Sequence, residues 1–144
     1  MTIASLLKHN REENKKTMRT DYSVTVKEVS KELTHKERVQ ITDLTDCVKL
    51  DNATQEGPVL IDFDYYAVLD IHNEKADDKD YQNYVVADKN GTRYSTGSKS
   101  FFNSLVDICD EMADSDEDEE WQIKAYRKPS KNRAGKDFIT CSIV

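Results

Sequence analysis

Glycine, proline and cysteine are all scarce. Four glycines in 144 residues leave no glycine-rich loop to cradle a phosphate. Three cysteines, Cys47, Cys109 and Cys141, lie far apart with no Cys-x-x-Cys pair. That odd, scattered set argues against a disulfide framework and a zinc site, and apolar neighbours lead to the expectation of buried free thiols. No apolar run approaches the roughly 18 residues of a membrane span. The start, Met1 to Asn10, has a short apolar patch without a small-residue cleavage site, so no secretory signal is expected. The expectation is a cytoplasmic protein. Hydrophobic residues make up 37% and charged residues 34%, which leaves material for one small core.

The cations are few but concentrated. The net charge is -7. Residues 114–120 are nearly all acidic, whereas Lys124, Arg127, Lys128, Lys131, Arg133 and Lys136 follow one another with no acid between them. A local field of this kind steers a polyanion even when the whole chain is acidic.

Residues 1–35 differ from the rest. Met1 to Leu7 is apolar, residues 10–20 are polar and basic, and Tyr22, Val24 and Val26 alternate as in a short strand. This stretch reads as an N-terminal arm, flexible or oligomerising, with Ile3, Leu6 and Leu7 as apolar anchors on a neighbouring subunit. Residues 36–144 read as one β-rich domain. Alternation at Val39 and Ile41, then Val48 and Leu50, predicts a first strand bent at residues 43–46. Val59, Ile61, Phe63, Tyr65, Ala67, Leu69 and Ile71 predict a long strand with that set facing the core. Tyr66 then faces outward. Strands at 81–87 and 92–96 flank an Asn90-Gly91 hairpin turn. Ser98 or Ser100 caps a helix whose apolar face carries Phe101, Leu105, Ile108 and Met112, widened by Phe102, Val106 and Cys109. Two strands close the chain, around Ile123–Ala125 and Ile139–Ile143, joined by the basic loop. Trp121 shares the inward parity and reads as core.

Strand, long strand, strand pair, helix, strand, strand is the order of a five-stranded OB barrel, with its one helix between strands three and four. Such barrels bind oligonucleotides on the strand 2–3 face and on the loops after strands 1 and 4. The basic loop falls after strand four. Outward parity places Tyr66, Lys124, Tyr126, Lys128 and Phe138 on the surface, with Arg93 and Tyr94 in the short hairpin. Aromatic rings interleaved with cations suit single-stranded DNA, since bases stack on rings and cations track phosphates. The expected site is Tyr66, Arg93, Tyr94, Lys124, Tyr126, Lys128, Lys131, Arg133, Lys136 and Phe138.

Three segments carry a resemblance: Tyr94-Ser95-Thr96-Gly97-Ser98-Lys99-Ser100-Phe101-Phe102, Arg127-Lys128-Pro129-Ser130-Lys131-Asn132 and Gly135-Lys136-Asp137-Phe138. Over residues 36–144 the chain resembles OB-fold single-stranded-DNA-binding proteins of Gram-positive conjugative plasmids and phages. The resemblance implies coating of single-stranded DNA, with weaker binding to duplex, during conjugative transfer or replication. It departs from housekeeping single-strand-binding proteins, whose flexible acidic C-terminal tail recruits partners; here the chain ends Ile143-Val144 and its acidic run is internal.

No catalytic constellation emerges, and neither an enzyme nor a cofactor is expected. His9, His35 and His72 are scattered. Asp114, Asp116, Asp118 and Glu120 imitate a calcium loop, but Glu119 stands where glycine is needed and Ala125 where the final glutamate is needed. Asp62 and Asp64 read as a solvated strand face. The competing reading is an acidic inhibitor that imitates DNA and binds a DNA-handling enzyme. The basic loop counts against it.

Overall fold

The computed structural model describes residues 21–115, 120–131 and 135–144. Its elements run β1 (Tyr22–Val29), α1 (His35–Ile41), a 3-10 turn (Leu44–Asp46), β2 (Val48–Lys49), α2 (Leu50–Ala53), β3 (Val59–Ile61), β4 (Phe63–Asn73), β5 (Asp80–Asp88), β6 (Arg93–Thr96), α3 (Lys99–Ala113), β7 (Ile123–Pro129) and β8 (Asp137–Ile143). The protein is mainly β, as expected, but the described residues carry three α-helices where one was expected.

The long strand is present and divided. The backbone breaks at Asp62, whose N–H is taken by the Asp88 carboxylate at 2.9 Å instead of by a ladder partner. Before the break, β3 pairs antiparallel with β7. After it, β4 pairs antiparallel with β1 and β5. One continuous stretch therefore serves two sheets: a five-stranded sheet ordered β1-β4-β5-β6-β2 and a three-stranded sheet ordered β3-β7-β8. β6 and β8 share no ladder among the described residues. The Ser98 and Ser100 hydroxyls instead donate to the Ile139 carbonyl at 3.3 and 2.9 Å.

The β5–β6 hairpin turns at Asn90-Gly91 as the sequence predicts. Gly91 sits at φ 94°, a conformation that costs a glycine little. Helix α3 starts where expected: the Ser98 hydroxyl accepts the Phe101 N–H at 3.2 Å. Its Phe101 and Leu105 are fully buried.

The expected first barrel strand over Val39–Leu50 is absent. Thr34 and Glu37 form a reciprocal capping box: the Thr34 hydroxyl accepts the Glu37 N–H at 3.1 Å, and the Glu37 carboxylate accepts the Thr34 N–H at 2.9 Å. Satisfying two donors at once starts a helix there, and α1 turns Ile41 into the core while leaving Val39 exposed. The Thr34 backbone N–H, and then the Thr34 hydroxyl, hold the Glu37 carboxyl below its ordinary range.

The expected arm is also revised. β1 is hydrogen-bonded along β4 from Tyr22 opposite Asn73 to Val29 opposite Ala67. Residues 22–35 thus belong to the same folded unit as the rest, and no boundary falls at 35. Ile3, Leu6 and Leu7 lie outside the described residues, as do the calcium-loop positions 116–119.

Two cores follow from this layering. One lies between the five-stranded sheet, α3 and the β7–β8 hairpin, and includes Tyr66, Val68, Tyr84, Val86, Phe101, Leu105, Ile123, Ala125 and Cys141. The other lies on the opposite face of the five-stranded sheet, where Leu33, Ile41, Leu44 and Cys47 cover Tyr65, Ala67, Leu69, Val85 and Ala87. Trp121 is half-buried at the margin of the first core, stacked on Phe63 with ring centres 5.2 Å apart.

Candidate nucleic-acid interface

The three-stranded sheet has one face on the core. The other, outward face carries half-buried and exposed side chains, together with Thr140, which is 8% exposed and whose hydroxyl lies 3.0 Å from that of Ser104 on α3. The sheet's register decides which side chains share the outward face. Lys124 lies opposite Ser142, Tyr126 opposite Thr140 and Lys128 opposite Phe138, while Leu60 of β3 lies opposite Lys124. Directly opposed residues point to the same side of a sheet, and alternate residues share a side. Lys124, Tyr126, Lys128 and Phe138 therefore form one surface, as expected. Leu60, 57% exposed, extends it and was not foreseen, although the inward parity of Val59 and Ile61 already implied it.

The aromatic rings on this surface are positioned. The Lys124 ammonium sits 5.1 Å from the centre of the Tyr126 ring. The Tyr126 hydroxyl and the Ser142 hydroxyl are 2.9 Å apart. Phe138, 37% exposed, is the most exposed aromatic ring among the described residues. The face leads into the β7–β8 bend, where the Ser130 N–H bonds to the Lys136 carbonyl at 2.9 Å and Gly135 takes φ 79°. Lys131 and Lys136 are exposed there; Arg133 lies outside the described residues. A recess of about 460 Å³ at the bend is lined by Arg127, Lys128, Pro129, Ser130, Gly135, Lys136 and Asp137.

Arg127 belongs to the bend's other side. Its guanidinium donates to Asp137 at 2.8 Å, to the Thr54 hydroxyl at 3.1 Å and to the Asp51 carbonyl at 2.6 Å. It ties the hairpin to α2 and presents a rigid base to the more exposed lysines.

Three expected site residues lie elsewhere. Tyr66 is 8% exposed and packs edge-to-face on Phe102, with burial raising its hydroxyl pKa. No base can stack on it. The parity argument failed because the sheet is covered on both faces, so Tyr65 and Tyr66 are both inside. Tyr94 is half-buried against the first core, with its pKa raised mainly by burial. Arg93 is committed to Asp46 at 2.8 Å and has a side chain only 16% exposed. Both belong to the five-stranded sheet.

The remaining chemistry is sparse. No group of three or more potential metal ligands occurs among the described residues. Burial pushes the Cys109 thiol up to about 11 and the Cys141 thiol to about 12, which makes both poor nucleophiles at neutral pH. At the far end of β4, His72 bonds Asp80 and Glu74 through its two ring nitrogens, each at 2.7 Å. The Asp80 contact, then the Glu74 contact, raise its pKa. No helix among the described residues is long and apolar enough to cross a membrane.

No protein-family model, curated protein or solved structure matches this chain.

Proposed function

We propose that this protein binds single-stranded DNA through the outward face and bend of its β7–β8 hairpin, on a partly open OB barrel. The barrel reading takes residues 59–73 as strand one, not strand two. β5 and β6 then serve as strands two and three, α3 follows, and β7 and β8 are strands four and five. β1, α1, β2 and α2 are additions: β1 and β2 extend the sheet at its edges, Leu50 of α2 joins the inner core, and the segment from Leu33 to Cys47 seals the outer face of strands one to three.

That seal matters for the site. The strand 2–3 face used by other OB folds is covered here by Leu33, Ile41, Leu44 and Cys47. The loop after strand one, 74–79, sets Glu74, Asp77 and Asp78 against Lys75 and Lys79 and so has no excess of cations to hold phosphates. The loop after strand four keeps Lys131, Arg133 and Lys136 with no acid among them. The observation that carries the reading is the one outward face on which half-buried Lys124 and Tyr126 and exposed Lys128 and Phe138 stand together. Bases stack on the two rings while the lysines track the backbone. Such contacts depend little on sequence and favour unpaired strands, whose bases are free to stack; duplex binds more weakly. The process served is conjugative plasmid transfer or plasmid or phage replication, in the cytoplasm, without catalysis or cofactor.

Fluorescence anisotropy of a labelled thymidine oligomer tests this. Affinity should fall steeply between roughly 50 and 200 mM salt through counterion release. Neutralising Lys128, Lys131 and Lys136 to glutamine should lower the slope of log affinity against log salt by about 2, at roughly 0.7 per lost phosphate contact. Absence of binding at low salt would remove the reading and favour an acidic inhibitor of a DNA-handling enzyme.

A further inference from the structure

The two ends of β8 differ in chemistry. At the bend end stands Phe138, 37% exposed, with Lys128 directly opposite it and Lys136 two residues before it. At the other end, the last turns of α3 and the end of β8 enclose a groove of about 240 Å³. Ile108, Met112 and Ile143 line it with an apolar floor, and Asp107 and Glu111 stand at its rim. Ile143 is 47% exposed and Val144, beside it, 63%. Asp110 and Asp114 are exposed on the same helix end, so the groove lies in an acidic field. One end offers an aromatic knob between two cations. The other offers an apolar slot between two anions.

We propose that the groove formed by Ile108, Met112 and Ile143 receives Phe138 from a second copy of this chain, with Asp107 and Glu111 facing the second copy's Lys128 and Lys136. A chain cannot fill its own groove, because Phe138 and Ile143 are five residues apart on one strand, about 17 Å. The knob and slot are different surfaces, so the contact is heterologous. It propagates head to tail instead of closing a symmetric pair. Desolvating the ring supplies the attraction, and the facing charges set partner and orientation. This contact does not depend on nucleic-acid binding. A stacked base and the groove would compete for Phe138, so the test is made without DNA.

Sedimentation velocity of the full chain across a range of concentrations provides it. The wild type should form concentration-dependent species larger than a dimer, and added salt should weaken them. A knob variant, Phe138→Ala with Lys136→Glu, should be monomeric. A groove variant, Asp107→Lys with Glu111→Lys, should be monomeric too. Mixing the two should give one-to-one dimers and nothing larger, because only one intact knob and one intact groove remain. Reversing Lys128 and Lys136 to Glu within the groove variant should restore association, which guards against a variant that simply fails to fold. A wild type that stays monomeric overturns the proposal. So does a mixture that stays monomeric, or a knob variant that still associates as the wild type does, since the groove would then hold another segment.

Discussion

The five-stranded and three-stranded sheets are built from strands with similar alternation, yet they end in opposite surroundings. In the first, residues 65–69 are buried without interruption, because α3 packs on one face and the segment from Leu33 to Cys47 packs on the other. In the second, Ile123, Ala125, Ile139 and Cys141 face the core while Lys124, Tyr126, Lys128 and Phe138 stay in solvent or at its edge. The difference teaches that alternation specifies two sides of a strand but not which sides are covered. Polar character is the better guide. The outward set on β7 carries lysines, which are rarely buried unpaired, whereas Tyr66 and Val68 on β4 carry little that resists burial.

The largest contrast should come from side-chain truncation. Leu69→Ala, at a fully buried position between β4's two neighbours, should cost about 2–5 kcal/mol in urea unfolding. Phe138→Ala should change stability by no more than about 0.5 kcal/mol. If both lost stability equally, the hairpin face would be part of a core and the two sheets would not differ. Next, Tyr126→Ala and Phe138→Ala should each weaken binding of a thymidine oligomer by about 1–3 kcal/mol, read by anisotropy. Arg93→Gln, on the five-stranded sheet, should leave that affinity unchanged. A loss at Arg93 matching the loss at Tyr126 would place the nucleic acid across both sheets.

Thr34→Ala removes the hydroxyl that starts α1 and should cost about 0.5–2 kcal/mol in thermal or urea unfolding, with DNA affinity intact. This residue also shows where the sequence was legible. Ser98, the Asn90-Gly91 turn, the 59–73 stretch, α3 and the β7–β8 hairpin were all readable, because each combines a local signal with the matching hydrophobic period. Thr34-x-x-Glu37 was an equally local signal. It went unused: the alternation of Val39 with Ile41, two residues too few to define a period, led to an expected strand where a helix forms. Tyr66 was misplaced for a non-local reason: its cover, Phe102, comes from a helix some 36 positions later in the chain. The face shared by Lys124, Tyr126, Lys128 and Phe138 was legible because a single hairpin builds it.

The smallest expected effect lies at His72. Its folded pKa is raised above the ordinary 6.5 by Asp80 and then Glu74. A raised value on a base contributes stability that is complete below 6.5 and is lost as pH climbs through the folded value. The thermal midpoint should therefore decline as pH rises above about 6.5. His72→Gln should flatten that decline and leave DNA binding untouched. An identical pH profile in the variant would show that the His72 contacts contribute nothing to the fold.

The account's central claim is one of place: the outward face of the three-stranded sheet, not the sealed five-stranded sheet, meets single-stranded DNA. Backbone amide shifts of the labelled protein, followed while a thymidine oligomer is added, test it most directly. The account predicts the largest shifts at Lys124, Tyr126, Lys128, Lys131, Lys136, Phe138 and Thr140. Shifts concentrated at residues 33–47 and 81–96, with the β7–β8 hairpin unmoved, would contradict it.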